Sequence, residues 1–266
     1  MNTPIRIAAV IVLYKESLQD SVTYQSLLAS ANIPFLVYDN SQNPEAHQAN
    51  RDFETYHNSD NPGVSAAYNF AWNWAVKNEF SHLLLLDSDS NFPKNAIEVY
   101  RKFVEKNQKQ VIVPTMKSAN RVISPFYFKL GKTHYGEGIS YGEISAKNIL
   151  SINSGMLVPI SVFQLTNGYN ENLPLDWSDI AFVRKLRKHG VKSVHIPLLV
   201  EHGLSEHHKA NVESVKFRFE KQVEGFHHVA ENRFEKWMMY FWLVLKSVKL
   251  TVKYKTIWFF KRVLVS

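Results

Sequence analysis

Four consecutive leucines at residues 83–86 are followed at once by the polar sequence Asp87-Ser88-Asp89. A short apolar run that ends at a turn is typical of a strand buried on both faces, as in parallel sheets covered by helices. In open α/β sheets, ligands bind at the carboxyl ends of the strands. The run therefore predicts an α/β fold in which two carboxylates emerge together at the ligand-binding edge of the sheet.

The carboxylates of Asp87 and Asp89 would repel each other there unless a cation or hydrogen bonds compensate them. Together they could hold a hard divalent cation beside a diphosphate. The alternative is an ordinary turn, because Asp and Ser are common turn residues. The surrounding sequence has to distinguish these two interpretations.

The composition is that of a folded protein without cysteine chemistry. The chain has 266 residues, of which 45% are hydrophobic, so it can bury a core as one large domain or two small ones. It contains no cysteine, which excludes disulfides and thiolate metal sites. No export signal is visible at the amino terminus, and the longest apolar run, residues 237–245, is shorter than the roughly 20 residues of a spanning helix. We expect a cytoplasmic chain that does not cross a bilayer.

The positive charge is concentrated at the carboxyl end. Seven basic residues and no acidic one follow Glu235, whereas the preceding residues hold equal numbers of acidic and basic groups. A neutral body without a basic stripe argues against a nucleic-acid partner.

Segments with strand and helix character alternate through the first half, which predicts a mostly parallel sheet. Predicted strands are residues 8–14, 34–38, 53–57, 83–86, 111–113, 153–159 and 192–196, and predicted helices are 17–30, 65–78, 94–107, 161–165 and 177–189. Residues 117–148 show no clear periodicity and suggest a long excursion or hairpin.

Several short motifs follow one another in a distinctive order. They are Val12-Leu13-Tyr14, Asp39-Asn40-Ser41, Asn61-x-Gly63-x-x-x-x-x-Asn69, Asp87-Ser88-Asp89-Ser90, Ser154-Gly155, Asp176-x-x-Asp179 with Gly190 eleven residues later, and His202. In order and spacing they resemble the family-2 nucleotide-sugar glycosyltransferases, especially the rhamnosyltransferase-like bacterial branch, over roughly residues 5–205. The resemblance implies a GT-A fold, with a Rossmann-like mixed, mostly parallel sheet flanked by helices. It also implies a catalytic domain at 1–205. The remaining residues, 206–266, are predicted from their own basic and aromatic residues to form a helical region.

Two groups of residues would bind the nucleotide. Asp39 at a strand end can accept a hydrogen bond from N3–H of uracil or thymine, and Tyr14 is available to stack on the base. Asn61, Gly63 and Asn69 resemble the family's second nucleotide-side loop, where glycine allows the backbone to approach the ligand. The alternatives are a simple turn at Asp39 and an ordinary capped helix start at the second loop.

The acidic motif would hold the metal. By resemblance, Asp89 is the ligand of a Mn²⁺ or Mg²⁺ ion that bridges both phosphates of the donor, and Asp87 is its partner near the ribose and sugar. His202 resembles a family histidine near the metal or diphosphate. A structural histidine is the alternative, since a lone histidine commonly has that role.

A second pair of carboxylates would supply the catalytic base. Asp179 best matches the family's base, which removes a proton from the acceptor hydroxyl, and Asp176 is the other candidate. Either could instead be an acid that favours a helix amino terminus. Ala181 departs from the pattern, because many relatives carry another acid there, and this leaves the choice between the two aspartates open.

The function implied is inverting, metal-dependent transfer of a sugar from a dTDP- or UDP-sugar to a hydroxyl of a surface glycan, expected to be lipid-linked. The alternatives are a sugar nucleotidyltransferase and a non-enzymatic basic binder. A nucleotidyltransferase should have a glycine-rich basic loop after the first strand, and no such loop follows Tyr14.

In the tail, Lys246, Lys249 and Lys253 share one side of a predicted helix, as in helices that lie in an anionic membrane interface. Packing on the catalytic domain or in a homodimer is the alternative. We expect peripheral attachment to the inner face of the membrane.

Overall fold

The computed structural model describes residues 4–29, 32–43, 53–136, 138–203 and 211–265. Its strands are β1 (Ile7–Leu13), β2 (Phe35–Asp39), β3 (Phe53–His57), β4 (His82–Asp87), β5 (Ser90–Asn91), β6 (Val111–Ser118), β7 (Arg121–Ser124), β8 (Phe126–Lys129), β9 (Lys132–His134), β10 (Gly142–Ile144), β11 (Ile149–Leu150), β12 (Leu157–Pro159) and β13 (Ser193–His202). Its helices are α1 (Val64–Lys77), α2 (Ala96–Lys106), α3 (Ile160–Thr166), α4 (Ser178–Lys188), α5 (Val212–Val229), α6 (Arg233–Tyr254) and α7 (Trp258–Leu264).

A mixed sheet in the order β10-β13-β6-β12-β4-β1-β2-β3 forms the centre of the molecule. The strands from β4 to β3 are parallel, as are β6 and β13, whereas β12 is antiparallel to both of its neighbours. Strands β8, β9 and β11 form a small separate sheet. The predicted α/β class with a mixed, mostly parallel sheet flanked by helices is confirmed.

Strand β4 is buried on both faces, as its leucine run predicts. Leu83 and Leu85 belong to the core between the sheet and helices α1, α3 and α4, whereas Leu84 and Leu86 belong to the core under α2. Strand β1 pairs in register along one edge of β4, and Val12 lies opposite Asp87. Asp87 is therefore fixed at the carboxyl edge of the sheet by a doubly buried strand.

The carboxyl-terminal helices pack on the rest of the chain. Phe219 and Phe226 of α5, Met239 of α6 and Phe259 of α7 are buried in the same core as α1 and α4. None of the helices in the described ranges is both long enough and apolar enough to span a bilayer.

The predicted helix over residues 17–30 is wrong in extent, because the chain is helical there only from residue 22 to residue 28. The side chains on its amino-terminal side bond to the acidic turn instead. Ser21 Oγ donates to Ser88 O at 2.8 Å, and Thr23 Oγ1 donates to Asp87 O at 2.6 Å. Short hydroxyl side chains compete with helical bonding in this way, and here they support the turn that follows β4.

Two other segments differ from the prediction in detail. Residues 117–148 are an excursion that contains two hairpins, β6–β7 and β8–β9, before β10 returns to the edge of the main sheet. The predicted strand 192–196 continues as β13 to His202. The longer strand matters for function because it carries His202 to the acidic turn.

Candidate active site

The acidic turn and the end of β13 are joined by a short strand pair. Ser90 and Asn91 form β5, which pairs antiparallel with Glu201 and His202 at the end of β13. Thr23 Oγ1 also accepts a hydrogen bond from Ser90 N at 2.8 Å. These backbone and hydroxyl contacts hold the turn in place and bring His202 beside it.

Asp87, Asp89 and His202 form a group that can bind a metal. One ligand atom from each lies within 4.8 Å of the other two. Asp89 Oδ1 is 3.3 Å from His202 Nδ1, which also contacts Ser90 Oγ at 2.8 Å. The structure thus brings all three predicted metal-site residues together.

One oxygen of the Asp89 carboxylate, Oδ1, is buried without a compensating hydrogen bond among the described residues. Burial raises the pKa of Asp89 to about 6, with the nearby carboxylate of Asp87 adding to the rise and His202 opposing it. A bound cation would compensate that buried oxygen, and two carboxylates with an imidazole suit Mn²⁺ or Mg²⁺. The residues present therefore fit the metal that the family resemblance implies.

Asp87 is held by a buried tyrosine. Tyr68 OH, on α1, donates to Asp87 Oδ1 at 3.0 Å. Burial raises the pKa of Tyr68 well above its ordinary value, and the charge of Asp87 raises it further, so the phenol stays a neutral donor. On the other side, Asp87 N donates to Ser154 Oγ at 3.3 Å. Asp87 is therefore oriented from two directions, and the sequence analysis missed Tyr68.

Asp39 is buried at the end of β2, two residues before Ser41, which lines a cavity of about 210 Å³. Its Oδ1 accepts a hydrogen bond from Ser41 N at 2.8 Å, which forms a tight turn. Ser41 lines the cavity together with Lys15, Glu16, Gln42 and Asn43. Tyr14 is nearby and half exposed, with Lys15 Nζ 5.0 Å from its ring centre. The cavity lies at the strand ends where a nucleotide base was predicted.

Asn61, Gly63 and Asn69 lie at the start of α1 and serve packing as well. Gly63 has a φ of +91°, and a Cβ there would lie 2.1 Å from Pro174 O, so only glycine fits. The amide of Asn69 is fully engaged, because it accepts from Tyr169 N and donates to Tyr169 O and Glu171 Oε1. In this structure Gly63 and Asn69 join α1 to the loop that precedes α4.

Asp179 is a desolvated carboxylate in the first turn of α4. Burial raises its pKa to about 6, the backbone N–H of Ile180 opposes this, and the charges of Asp176 and Asp87 raise it further. Asp176 differs, because Arg218 Nε on α5 lies 3.3 Å from both of its carboxylate oxygens. A general base works best when its pKa is close to the operating pH. These environments favour Asp179 over Asp176 as the base.

A hydrogen-bonded chain positions the loop that leads to Asp179. Tyr169 OH donates to Asn153 Oδ1 at 2.9 Å, Asn153 Nδ2 donates to Ser178 Oγ at 3.0 Å, and Ser178 Oγ donates to Leu175 O. Burial raises the pKa of Tyr169 well above its ordinary value, and the charges of Asp179 and Asp87 raise it further, so these two carboxylates lie in one region. Sequence reasoning missed this chain, since its members are ordinary polar residues scattered over 26 positions.

The comparisons with known proteins agree with this architecture. The model of the Glycosyl transferase family 2 matches residues 10–158, which is more than half of the chain, and the chain therefore belongs to that family. The curated "dTDP-rhamnosyl transferase RfbF" of Shigella flexneri is 23% identical over 197 residues, and the match covers 71% of this chain and 66% of that protein.

Solved glycosyltransferase structures have the same fold. The structure of GalNAc-T7 with UDP, GalNAc and Mn²⁺ has a TM-score of 0.62 at 13% identity, over 97% of this chain and 56% of that one. The S. aureus TarS 1-349 complex with UDP-GlcNAc has a TM-score of 0.53 at 13% identity, over 96% of this chain and 78% of that one. The predicted family and GT-A fold are confirmed.

Proposed function

We propose that this protein is an inverting, metal-dependent glycosyltransferase that moves a sugar from a dTDP- or UDP-sugar to a hydroxyl group. The observation that carries the proposal is the placement of two distinct carboxylate sites at one edge of the sheet. One is the Asp87, Asp89 and His202 group, and the other is the desolvated carboxylate of Asp179. A leaving diphosphate needs the first, and an acceptor hydroxyl needs the second.

The chain's residues would divide the work as follows. The acceptor oxygen attacks the anomeric carbon and forms the new glycosidic bond, while Asp179 takes the hydroxyl proton. The bond from the anomeric carbon to the phosphate oxygen breaks, and the nucleoside diphosphate leaves with the electron pair. When bound by Asp89, Asp87 and His202, a divalent cation would neutralise charge on the departing diphosphate. One displacement without a covalent intermediate inverts the anomeric centre.

The donor proposal rests on the cavity and on the relatives. In this proposal the cavity of about 210 Å³ that Ser41 lines takes the uracil or thymine base, and the Asp39 carboxylate accepts a hydrogen bond from N3–H of that base. The name of the Shigella flexneri relative specifies a dTDP-rhamnosyl transferase, and the TarS structure holds UDP-GlcNAc. We therefore propose dTDP-rhamnose as the first donor to test and UDP-sugars as the second.

A donor-binding experiment tests the proposal. UDP, dTDP and their sugars should raise the melting temperature of the protein only when Mn²⁺ or Mg²⁺ is present, and Asp89→Ala should remove that increase. Glu98→Gln, which removes one exposed carboxylate from α2, is the matched control and should respond like the native protein. Stabilisation by nucleotides in EDTA, or unchanged stabilisation of Asp89→Ala, would contradict the metal-dependent site. Proton NMR of the glycoside product should show the anomeric configuration opposite to that of the donor.

We further propose that the acceptor is a lipid-linked surface glycan and that α6 attaches the protein to an anionic membrane surface. Six exposed apolar residues follow one another along α6 at intervals of three and four, with exposed fractions from 41% to 73%: Phe234, Trp237, Phe241, Leu245, Val248 and Val252. They lie away from the buried face of this helix, which contains Met239 and Leu243. We call them the α6 stripe.

The charge of the tail favours a membrane over a second copy of the chain. Seven basic residues and no acidic one follow Glu235, so two facing tails would gain no ion pairs with each other. Arg262 already pairs with Glu220 and Glu224 of α5. Anionic lipids would compensate the remaining charges, each worth roughly 1 kcal/mol near the surface. An amphipathic helix of this kind lies in the interface plane with its apolar side toward the acyl chains.

Flotation with phosphatidylglycerol vesicles tests the membrane proposal. The double variant Trp237→Ser, Phe241→Ser should float at least about tenfold less than the native protein, since both rings would lie in the interface. Leu165→Ser, which removes an exposed leucine from α3, is the control and should float normally. Flotation that survives the double variant, or a dimer in solution that this variant dissociates, would assign the stripe to another partner.

A further inference from the structure

The loop before α4 is clamped by the first of the carboxyl-terminal helices. Trp177 Nε1 donates to Gln222 O on α5 at 3.0 Å, and the indole packs over Gly225, where a Cβ would lie 2.9 Å from Trp177 Cδ1. Trp177 itself has a φ of +72°, which is unusual for a bulky residue. Such a conformation persists only when its surroundings enforce it. Helix α5 therefore fixes the segment that leads directly to Asp179.

Three cations gather beside that clamp. Arg218 is one turn before Gln222 on α5 and contacts Asp176 through Nε, and its terminal nitrogens donate to no other group in the described part of the chain. Lys246 Nζ of α6 contacts Gln222 Oε1 at 2.6 Å. Lys249 follows one turn later on the same side of α6. Asp176 is thus in contact with Arg218 and close enough to Lys246 for the two charges to interact.

The surroundings of Lys246 hold more positive than negative charge. Lys246 is an exposed residue, and within the described ranges its ammonium group donates to a neutral group, the amide oxygen of Gln222. Desolvation lowers its pKa, and the positive charges of Arg218 and Lys249 lower it further, whereas Asp176 opposes them. Cations on a surface helix can usually spread into water. Two of these cations instead contact groups at the loop before α4: Arg218 contacts Asp176, and Lys246 contacts Gln222, whose carbonyl holds Trp177.

We propose that Arg218, Lys246 and Lys249 bind a phosphate or diphosphate group of the acceptor. The inference rests on the proposed function and specifies its acceptor as a phosphate-bearing molecule. A phosphate group offers several oxygens to cations in different positions, and the free nitrogens of an arginine match this arrangement.

The surroundings of the cluster fit a lipid phosphate in particular. Leu245 and Val248 of the α6 stripe are neighbours of Lys246 and Lys249 in the sequence of the same helix, so an apolar chain could continue from the cations onto the stripe. On the other side, Asp176 lies three residues before Asp179. The cluster therefore lies between a surface for the lipid and the base that would deprotonate the sugar hydroxyl.

Binding of geranyl phosphate, with geraniol as the uncharged probe, tests the inference on the full chain in neutral detergent. Saturating UDP and Mn²⁺ are included so that the donor site is blocked. Lys246→Gln should weaken binding of geranyl phosphate by about tenfold or more, because a converging charge is lost. Lys253→Gln removes the same charge two turns further along α6, is the matched control, and should change binding by less than about twofold.

The outcomes separate this inference from the proposals on which it depends. Equal effects of the two lysine variants, or geraniol binding as tight as geranyl phosphate binding, would overturn the acceptor subsite. If Lys246→Gln affects only flotation on phosphatidylglycerol vesicles, and to the same extent as Lys253→Gln, the cations serve lipid headgroups and the inference is also wrong. If the native protein does not bind nucleotides, the proposed transferase function is contradicted instead. Nucleotide binding is measured separately from the binding of geranyl phosphate and geraniol.

Discussion

Replacement of Asp179 by Asn should stabilise the protein while it removes the carboxylate that we propose as the catalytic base. Asp179 ionises with a pKa of about 6 in the folded chain, compared with an ordinary value of 3.8, because burial penalises its charged form. Each pKa unit corresponds to about 1.4 kcal/mol, so ionised Asp179 lowers the free energy of unfolding by about 3 kcal/mol. Asn has nearly the same shape and can still accept the N–H of Ile180.

The stabilisation should depend on pH in a specific direction. The pKa is higher in the folded protein, so the unfolded chain releases its proton first as the pH rises. The penalty is absent below about pH 4, grows between about pH 4 and 6, and is complete above about pH 6. Asp179→Asn should therefore exceed the native free energy of unfolding by about 3 kcal/mol at pH 8, and by about half of that at pH 5.

Urea unfolding in EDTA, without nucleotide, measures both values. The control is Glu98→Gln, which removes an exposed carboxylate from α2 and should give no gain. Turnover of Asp179→Asn should fall by about 10²-fold or more while donor binding is kept. The desolvation argument would be refuted if the native protein and Asp179→Asn had equal free energies of unfolding at pH 8. It would also be refuted if the gain of the variant were the same at pH 5 and pH 8. Near-normal turnover would move the base role to Asp176.

Three further predictions concern pH, backbone and ion pairing. The value of kcat/KM should rise about tenfold per pH unit below about pH 6 and level off above pH 6, since Asp179 must be deprotonated to act as the base. A flat profile from pH 5 to 8 would contradict that role. Gly63→Ala should lower the free energy of unfolding in urea by about 2 kcal/mol or more, because the new Cβ would collide with Pro174 O. Gly190→Ala also has a positive φ but has open space around it, and it should lower that free energy by about 1 kcal/mol. Equal losses in the two variants would refute the steric argument. Arg184→Met should lower the free energy of unfolding by about 3 kcal/mol, because the largely buried Glu235 carboxylate loses its ion-pair partner at 2.6 Å. Adding Glu235→Leu should restore most of the stability. A double variant as unstable as the single one would show that the ion pair is not the cause.

The sequence predicted the parts of the fold whose signal is local. The leucine run before Asp87 identified β4 because a doubly buried strand needs continuous apolar residues, and burial is complete at all four leucines. The helix predicted at 17–30 failed because Ser21 and Thr23 bond to the acidic turn more than 60 residues away. A propensity for helix cannot anticipate partners so distant in the sequence.

The candidate site divides in the same way. Asp87, Asp89 and His202 were predicted from motif order, and the structure brings them together because β5 pairs with the end of β13. Tyr68 was missed because a tyrosine on a helix has no motif that would mark it as the donor to Asp87. The difference between Asp176 and Asp179 could not be predicted either, since it depends on Arg218, which lies about 40 residues further along the chain.

That difference gives the carboxyl-terminal helices a role beyond burial of apolar surface. Arg218 neutralises Asp176, and Gln222 and Gly225 hold Trp177, so Asp179 remains the one carboxylate of this segment without a cationic partner among the described residues. If Asp176 were left unpaired, its charge would raise the pKa of Asp179 more strongly, and less of the base would be ionised at neutral pH. The pairing of Asp176 with α5 therefore limits how far this neighbouring charge adds to the rise that burial causes in the pKa of Asp179.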